Sequence, residues 1–493
     1  MGTVTGVRSA KASPVLCVDL DGTLIRGDVL WECVLVLLKT RPLTLFLIPF
    51  WLLSGKAFVK RQLATRTNLN PADLPYRPEV IELVRNEKSL GRRIALTTAA
   101  DQGLADNISS YLGLFDEVHG SNGQLNLKGA TKAAFLAHRY QGTGFEYVGD
   151  STADVDVWRN SQGAYVVGTE ARANQAAAVT EIRVTFLEPE LSFRTSFRTT
   201  CRTWFNAIRG HHWAKNLLLF LPLILSHNLE AGALLRTTAA FVLYGLCASG
   251  LYVVNDLLDL HSDREHPWKK KRPFAAGEIS IPEGLVASTI LLGVAIGLGF
   301  TLAIEFGLLL VGYAALTMSY SLYFKKIALL DVFILSGFYT FRIVAGALIS
   351  ATPLSQWFLA FSTFLFLSLA MAKRYSELLN AGTLIRKGKS GRGYRAGDRE
   401  VLLALGVGSS FSAVVIFSLY VHSPEVRLLY SSPEFLFLLC PVVLYWLSRT
   451  WLLAHRGELK EDPVTLAMRD PVSYAAALVC AIVIAASIIH VNW

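Results

Sequence analysis

The sequence predicts two domains of different class, an N-terminal α/β domain built on a parallel sheet and an all-α polytopic membrane domain of nine transmembrane helices. The chain has 493 residues, more than one ordinary domain holds. Only 17% of the residues are charged, whereas soluble proteins average roughly 25%. The mean hydropathy is +0.40, and apolar segments concentrate after residue 205. We therefore expect a soluble domain at 1–185, a linker at 186–204 and a membrane domain at 205–493.

Strand-like and helix-like segments alternate in the N-terminal domain. The apolar strand patterns lie at 15–23, 92–100, 145–151 and 163–168. This alternation predicts a parallel sheet of the Rossmann type, with catalytic groups at the carboxyl ends of its strands. The apolar segment 43–53 has only 11 residues, too few to span a bilayer. It is either a buried helix or an interfacial helix that lies on the membrane, and the second alternative is slightly favoured.

Nine apolar segments of roughly spanning length follow the linker. They lie at 216–231, 236–255, 283–302, 304–322, 328–349, 354–372, 400–421, 433–452 and 471–491. Each approaches the roughly 20 residues that a helix needs to cross a bilayer. The sequence therefore predicts nine transmembrane helices.

Basic residues orient this bundle. With residue 205 in the cytosol, the cytosolic loops hold 18 Lys or Arg residues, and the opposite loops hold only Arg236 and Arg427. These cytosolic loops are 256–282, 323–327, 373–399 and 453–470. Because positive charge collects on cytosolic loops, we expect an integral plasma-membrane protein with a cytosolic N-terminal domain and an outer C-terminus. The loops explain much of the net charge of +9, so we expect no nucleic-acid partner.

Acidic side chains follow two of the predicted strands. Asp19 and Asp21 stand one residue apart directly after VLCV, and Asp150 and Asp154 come after FEYVG. In such a pair, one carboxylate attacks phosphorus while the other protonates the leaving oxygen and later activates water. This chemistry needs Mg²⁺ to neutralise the phosphate oxygens. The carboxyl edge of the sheet is therefore predicted to be a Mg²⁺-dependent phosphate site.

The N-terminal domain resembles the haloacid dehalogenase (HAD) phosphohydrolase superfamily over about residues 14–180, where four motifs of that superfamily occur in order. The resemblance implies Asp19 as the nucleophile and Asp21 as the acid and base. It also implies that Asp19, Asp21, Asp150 and Asp154 form the Mg²⁺ side of the site.

The same resemblance implies two phosphate-binding residues and a substrate-selecting cap. Thr98 ends the strand predicted at 94–98, and Lys128 stabilises the charged intermediate. Thr97 and Lys132 remain alternatives for these two roles. The helical cap would be the insertion at about 25–90. An inactive HAD module is the competing interpretation.

A second acidic pattern, NDLLDLHSD at 255–263, lies where the second membrane helix reaches the cytosol. Asp256, Asp259 and Asp263 stand at i, i+3 and i+7, so we expect them on one face of a helix. Three carboxylates at a membrane boundary are costly unless they bind cations. Hard oxygen ligands suit Mg²⁺ that bridges a diphosphate. A solvated charged loop is the alternative interpretation of the lysines that follow.

The membrane half resembles the UbiA prenyltransferase superfamily across about residues 200–493, because NDLLDLHSD matches its first Asp-rich motif. Where its second Asp-rich motif is expected, at the end of the sixth helix, this sequence has Lys373 and Arg374. A basic pair suits direct binding of a phosphate monoester. HHWAKNLLLFLPL and DPVTLAMRDPVS further resemble the phosphoribosyltransferase branch of that superfamily. That branch implies phosphoribosyl diphosphate as donor, a polyprenyl phosphate such as decaprenyl phosphate as lipid acceptor, and a product used for cell-wall arabinan.

These resemblances predict Mg²⁺-dependent transfer of phosphoribose, with Asp256 and Asp259 as catalytic residues and Asp263 as a further metal ligand. The predicted substrate-binding residues are Lys215, Asn255, Lys271, Arg272, Tyr320, Lys325, Lys326, Arg342, Lys373 and Arg374. For Lys215, Lys325 and Lys326, snorkelling at the membrane surface is an equal alternative. Arg342, inside the fifth helix, should face the interior of the bundle.

The fusion of the two halves predicts a sequence of two reactions. The HAD domain would remove the 5-phosphate from the lipid product, because tethering raises its concentration near that product. Two rival functions remain open. The first is a UbiA-type enzyme that moves a prenyl chain from its diphosphate to an aromatic or other small acceptor. The second is a transporter or scaffold with a soluble regulatory HAD module.

Overall fold

The computed structural model describes residues 13–180, 182–187, 197–227, 230–266, 268–380, 393–395, 397–459 and 462–488. The chain forms two compact units. One comprises Met1–Ala207 and Asp256–Val286, and we call it the sheet unit. The other comprises Ile208–Asn255 and Ala287–Trp493, and we call it the helical unit. The part Asp256–Val286, which we call the aspartate segment, therefore packs with the N-terminal domain.

A six-stranded parallel sheet is the centre of the sheet unit, as the alternating pattern predicts. Its strands are β1 (Val15–Val18), β2 (Ile94–Asp101), β3 (Glu117–Ser121), β4 (Phe145–Gly149), β5 (Gly163–Val167) and β6 (Arg183–Leu187). They pair in the order β3-β2-β1-β4-β5-β6, and every pair is parallel. Cys17 of the fully buried β1 lies opposite Ala95 on one side and Tyr147 on the other. The carboxyl ends of β1 and β4 are therefore neighbours.

Helices connect these strands and cover the sheet. In chain order they are α1 (Val29–Thr40), α2 (Ile48–Leu53), α3 (Lys56–Arg66), α4 (Pro78–Ser89), α5 (Gln102–Leu112), α6 (Ala130–Arg139), α7 (Val155–Arg159), α8 (Glu170–Val179) and α9 (Phe197–Ala207). The insertion between β1 and β2 contains α1 to α4. Helix α1 begins at Val29, directly after its N-cap residue Asp28. The Asp28 carboxylate accepts a hydrogen bond from Leu30 N and so satisfies one of the unpaired amides at the start of the helix.

The apolar segment at 43–53 forms a 3₁₀ helix, Pro42–Leu47, followed by α2. None of its residues is fully buried. Leu45, Ile48 and Trp51 pack against the core of the sheet unit, whereas the opposite side is exposed. Leu43 and Leu53 are 79% and 86% exposed. The segment therefore has one packed side and one apolar side open to its surroundings, which is the pattern of the interfacial alternative.

The remaining helices belong to the aspartate segment and the helical unit. They are α10 (Leu221–Leu225), α11 (Ala231–Leu258), α12 (Leu260–Glu265), α13 (Ile281–Leu302), α14 (Ile304–Leu322), α15 (Leu330–Ile349), α16 (Gln356–Asn380), α17 (Asp398–Val421), α18 (Pro424–Leu429), α19 (Leu439–His455), α20 (Pro463–Ala467) and α21 (Pro471–Ile488). Within the described residues, eight helices are long and apolar enough to cross a membrane. A polytopic helical membrane domain is thereby confirmed.

The first of the nine predicted spans does not form one long helix. Its region contains a 3₁₀ helix, Gly210–Phe220, followed by the short α10. Pro222, the second residue of α10, favours a new helix there because proline has no N–H to extend the preceding one. The irregular backbone packs closely on α15, since a Cβ at Gly346 would overlap the Leu219 carbonyl oxygen. A glycine is thus required where this segment touches the bundle.

Candidate functional sites

Three carboxylates meet at the carboxyl edge of the sheet. Asp19 follows β1, while Asp150 and Asp154 follow β4, and their ligand oxygens all lie within 4.8 Å of one another. Asp154 is held in place because its Oδ2 accepts hydrogen bonds from Ser151 N at 3.0 Å and Ser151 Oγ at 2.8 Å. Thr23 Oγ1 donates to Asp150 Oδ1 at 3.1 Å. Carboxylate oxygens at this spacing, from two buried acids and one partly buried acid, fit a Mg²⁺ ion.

The cation beside Asp19, the predicted nucleophile, is Lys132, the alternative to Lys128. Lys132 Nζ lies 2.9 Å from Asp19 Oδ1 and donates to the Tyr147 hydroxyl at 2.8 Å. That hydroxyl in turn donates to Asp154 Oδ1 at 3.1 Å. Lys128 also lines the cavity in front of these residues. The first turn of α6 therefore supplies the direct partner of Asp19, and the loop before it supplies a second positive charge.

Asp21 is placed differently from the other acids. Its Oδ1 accepts a hydrogen bond from Val29 N at 2.9 Å, at the start of α1, and it is outside the group of three that could hold a metal. Burial and the nearby Asp28 carboxylate raise the pKa of Asp21 to about 8. Burial also raises the pKa of Asp19, to about 6, although Lys132 acts to lower it. A carboxyl that stays protonated at neutral pH suits the acid that the sequence assigns to Asp21.

The predicted phosphate-binding Thr98 does not line the cavity. The strand predicted to end at 98 continues to Asp101, so Thr98 is fully buried inside β2. Its hydroxyl accepts a hydrogen bond from Ala100 N at 3.0 Å. The alternative Thr97 is equally buried. The strand therefore offers Ala99, Ala100 and Asp101 to the cavity instead.

Sequence patterns did not reveal Lys60, a cap residue that also lines this cavity. Its Nζ donates to the Ala99 carbonyl oxygen at 2.6 Å and to Asn126 Oδ1 at 3.0 Å. Nothing in the basic, polar α3 distinguishes it from its neighbours, because its role depends on packing between the cap and β2. The cavity has a volume of about 430 Å³, and residues of the aspartate segment contribute one of its walls.

The aspartate segment brings together two of its three predicted ligands. The expected single helix is wrong, because α11 ends at Leu258 and α12 begins at Leu260, which leaves Asp259 between them. Arg272 Nη1 lies 3.1 Å from Asp256 Oδ1 and 2.6 Å from Asp263 Oδ2. Asp256 and Asp263 are almost fully buried. Their carboxylates thus surround a positive charge, which in this structure is the guanidinium of Arg272.

The other predicted residues of this region are more peripheral. Lys271 is exposed, and Asn255 is half-buried near the end of α11. In the described residues, Asp256, Asp259 and Asp263 do not form a group as tight as that of Asp19. The donors are nevertheless hard oxygens already arranged around a cation, so their chemistry fits Mg²⁺.

Two predicted lysines of the helical unit converge on an acid that the sequence analysis missed. Asp462 Oδ2 lies 3.0 Å from Lys215 Nζ and 3.1 Å from Lys373 Nζ, and the Tyr339 hydroxyl donates to Asp462 Oδ1 at 2.9 Å. Burial acts to raise the pKa of Asp462, but Lys373 and Lys215 outweigh it and hold the pKa below the usual range. DPVTLAMRDPVS contains this residue, which was the available signal.

Arg342 faces the interior of the helical unit, as predicted. It is 4% exposed, and its guanidinium carbon lies 5.1 Å from the ring centre of Tyr244 and 5.7 Å from that of Tyr339. Arg342 Nε donates to Asn216 Oδ1 at 2.8 Å. Cation–π contacts of this kind stabilise a charge that water does not reach. The helical unit therefore holds a fixed positive charge deep in its core.

Arg374 does not accompany Lys373. It is 1% exposed and forms an ion pair with the fully buried Asp331, at 2.7 Å, and a second pair with Glu377. Tyr394 donates a hydrogen bond to the same Asp331. Side chains of consecutive helical residues point about 100° apart. Lys373 therefore contacts Asp462, whereas Arg374 contacts Asp331 and Glu377. The contacts of Arg374 are those of a packing ion pair.

The last three predicted residues lie around the end of α14. The ring of Tyr320 packs edge-on against Phe338, with centres 5.8 Å apart. Lys325 and Lys326 belong to the short 3₁₀ helix Phe324–Lys326, where Lys325 is half-buried and Lys326 is exposed. An exposed lysine at a helix end agrees with the snorkelling alternative for Lys326.

Comparison with known proteins assigns the membrane half. Residues 218–478 match the family model described as the UbiA prenyltransferase family, which is more than half of the chain. The chain belongs to the UbiA prenyltransferase family. This UbiA protein is 32% identical to decaprenyl-phosphate phosphoribosyltransferase of Mycobacterium tuberculosis, over 55% of its own length and 89% of that relative.

Two further relatives come from Azorhizobium caulinodans and Sinorhizobium fredii. Nodulation protein NoeC of Azorhizobium caulinodans is 37% identical over 62% of this chain and 96% of NoeC. The uncharacterized protein y4nM of Sinorhizobium fredii is 39% identical over 94% of this chain and 88% of y4nM. The alignment with y4nM spans nearly the whole chain and therefore includes residues of both the sheet unit and the helical unit.

Proposed function

We propose that this UbiA protein transfers phosphoribose from phosphoribosyl diphosphate to a polyprenyl phosphate. The observation that carries the proposal is the pair Lys215 and Lys373, whose ammonium groups meet on the single carboxylate of Asp462. Two cations held 3.0 and 3.1 Å from one partly buried oxygen anion match the charge of a phosphate monoester. Similarity to a decaprenyl-phosphate phosphoribosyltransferase supports the same acceptor.

In this proposal the residues have distinct roles. Lys215 and Lys373 bind and orient the acceptor phosphate. Asp256, Asp259 and Asp263 would hold Mg²⁺, which would supply positive charge to the leaving diphosphate. The acceptor oxygen forms a bond to C1 of the ribose as the bond between C1 and the diphosphate oxygen breaks. Arg342 contributes positive potential from the core of the helical unit, where low polarity strengthens it.

We further propose that the α/β domain removes the 5-phosphate from the lipid product. Asp19 attacks phosphorus, and Asp21 protonates the departing ribose oxygen. Asp21 then takes a proton from the water that hydrolyses the aspartyl phosphate. Lys132 orients Asp19 and balances its charge, while Asp19, Asp150 and Asp154 hold Mg²⁺. Both reactions are proposed to take place on the cytosolic face of the plasma membrane.

The purified full chain with Mg²⁺, phosphoribosyl diphosphate and decaprenyl phosphate tests both proposals. We expect the wild type to make lipid-linked ribose. The Asp19→Asn variant should instead accumulate lipid-linked ribose 5-phosphate, and mass spectrometry of the lipid distinguishes the two products. Asp256→Asn should yield neither product. A wild type that instead consumes a prenyl diphosphate with an aromatic acceptor would overturn the transferase proposal. Equal accumulation of the phosphorylated lipid by wild type and Asp19→Asn would overturn the phosphatase proposal.

A further inference from the structure

One wall of the cavity in front of Asp19 comes from a distant part of the chain. Phe274, Ile279 and Pro282 of the aspartate segment line the same cavity of about 430 Å³ as Asp19 and Asp21. Phe274 and Ile279 are 2% and 4% exposed, so their side chains are buried in the sheet unit and do not lie on its surface. We call residues 274–282 the distal wall. The HAD motifs and the cap alone therefore do not enclose this cavity.

Arg264 ties the distal wall to the cap. Its Nη2 lies 2.7 Å from Glu32 Oε1 in α1, and its Nη1 donates to the Asp73 carbonyl oxygen at 3.2 Å. Its Nε donates to the Ala275 carbonyl oxygen, inside the distal wall, at 3.4 Å. Glu32 is fully buried, and a buried carboxylate is costly without a partner. One guanidinium thus joins two cap elements and the distal wall in a defined geometry.

Gly277 shows how closely the distal wall approaches the catalytic loop. Its φ of +70° is a conformation that side chains disfavour. A Cβ at this position would also lie 2.9 Å from the Cβ of Arg26, five residues after Asp21. The turn is closed by hydrogen bonds from Gly277 N to the Phe274 carbonyl oxygen at 3.1 Å and from Glu278 N to the Pro273 carbonyl oxygen at 2.8 Å. The distal wall is therefore a rigid turn pressed against the loop that carries the acid.

We infer that the distal wall determines the substrate specificity of the phosphatase cavity, with Arg264 as its positioning residue. The cavity has a charged floor suited to phosphate and an apolar wall suited to a large, partly apolar group. Its substrate class is then a phosphate monoester carried on a lipid-linked sugar, rather than a small soluble phosphate. This inference rests on the proposed phosphatase function. It also makes phosphatase specificity depend on the segment that carries Asp256, Asp259 and Asp263.

The test compares two substrates on the full chain in detergent. One is p-nitrophenyl phosphate, which needs only the charged floor, and the other is synthetic decaprenyl-phosphoribose 5-phosphate. Arg264→Ala and Gly277→Val should each raise the KM for the lipid roughly tenfold, because uniform binding is lost. The KM for p-nitrophenyl phosphate should rise much less than the KM for the lipid, so the ratio of the two KM values should rise several-fold. Arg264→Lys should recover part of the lipid KM, since it keeps a charge beside Glu32.

Glu265→Gln is the matched control, because Glu265 is exposed on the same short helix as Arg264. It should leave both KM values at their wild-type level. If the wild type cleaves both substrates and the two wall variants keep its ratio of KM values, the inference is wrong while the phosphatase proposal stands. If the wild type cleaves only p-nitrophenyl phosphate, both the proposed lipid substrate and the inference are overturned. Should Arg264→Ala fail to fold, Gly277→Val decides alone.

Discussion

Replacing Arg374 by methionine should destabilise the helical unit without acting as a phosphate-binding defect. Its guanidinium lies 2.7 Å from the Asp331 carboxylate, and both residues are almost fully buried. At an effective dielectric constant of about 20, Coulomb's law gives roughly 6 kcal/mol of attraction at this distance. Desolvation offsets part of that energy, and removing one partner of a buried pair costs about 3–5 kcal/mol. Among the described residues, Asp331 would then be a buried charge whose remaining side-chain partner is Tyr394.

The assay is thermal unfolding of the purified chain in detergent, followed by transferase kinetics on the surviving folded protein. A loss of about 3–5 kcal/mol corresponds to a fall of roughly 6–20 °C in the unfolding midpoint. The double variant Arg374→Met with Asp331→Leu should regain most of this loss, because no buried charge remains. Lys373→Met is the comparison, since its side chain is 33% exposed and should affect the KM for the acceptor instead. An unchanged midpoint in Arg374→Met, together with a raised acceptor KM, would refute this reasoning.

Three other substitutions test the remaining assignments. Lys132→Met should lower the phosphatase kcat at least roughly tenfold, because Asp19 loses the cation 2.9 Å away. Lys128→Met should chiefly raise the phosphatase KM. Equal losses of kcat in the two variants would contradict the assignment of Lys132. Asp462→Asn should lower acceptor affinity by several-fold, because Lys215 and Lys373 lose the carboxylate that holds them together; an unchanged acceptor KM would contradict this. A fluorophore attached to the cysteine of Phe46→Cys should be quenched by brominated lipids, because Phe46 is 74% exposed on the apolar side of its segment. The control is the same fluorophore attached at the polar Gln124. Equal quenching at the two positions would count against membrane contact.

The parallel sheet and its acidic edge were predictable because they depend on local patterns. A strand of apolar residues that ends in acids places those acids at the carboxyl edge, and parallel pairing then brings Asp19 and Asp150 together. The choice between Lys128 and Lys132 was not predictable in the same way. One precedes α6 and the other lies in its first turn, so only the packing of α6 against Tyr147 decides which ammonium reaches Asp19.

Contacts between distant residues account for the features that the sequence did not reveal. Asp462 meets Lys215 and Lys373 across long separations, so the segment DPVTLAMRDPVS indicates where the acid lies but not which cations it contacts. Similarly, the broken span near Pro222 depends on the close approach of Leu219 to Gly346. Apolar composition alone predicted one long helix at 216–231, because composition carries no information about where two backbone segments pack against each other.

The aspartate segment shows that the right residues can be predicted with the wrong local geometry. A spacing of i, i+3 and i+7 predicts one helical face, yet the helix is interrupted at Asp259. Asp256 and Asp263 still converge, because Arg272 lies 3.1 and 2.6 Å from them and compensates two buried negative charges. The requirement for a cation, rather than helical periodicity, therefore determines how these acids are arranged. That requirement is also what suits the segment to hold Mg²⁺ in the proposed transferase.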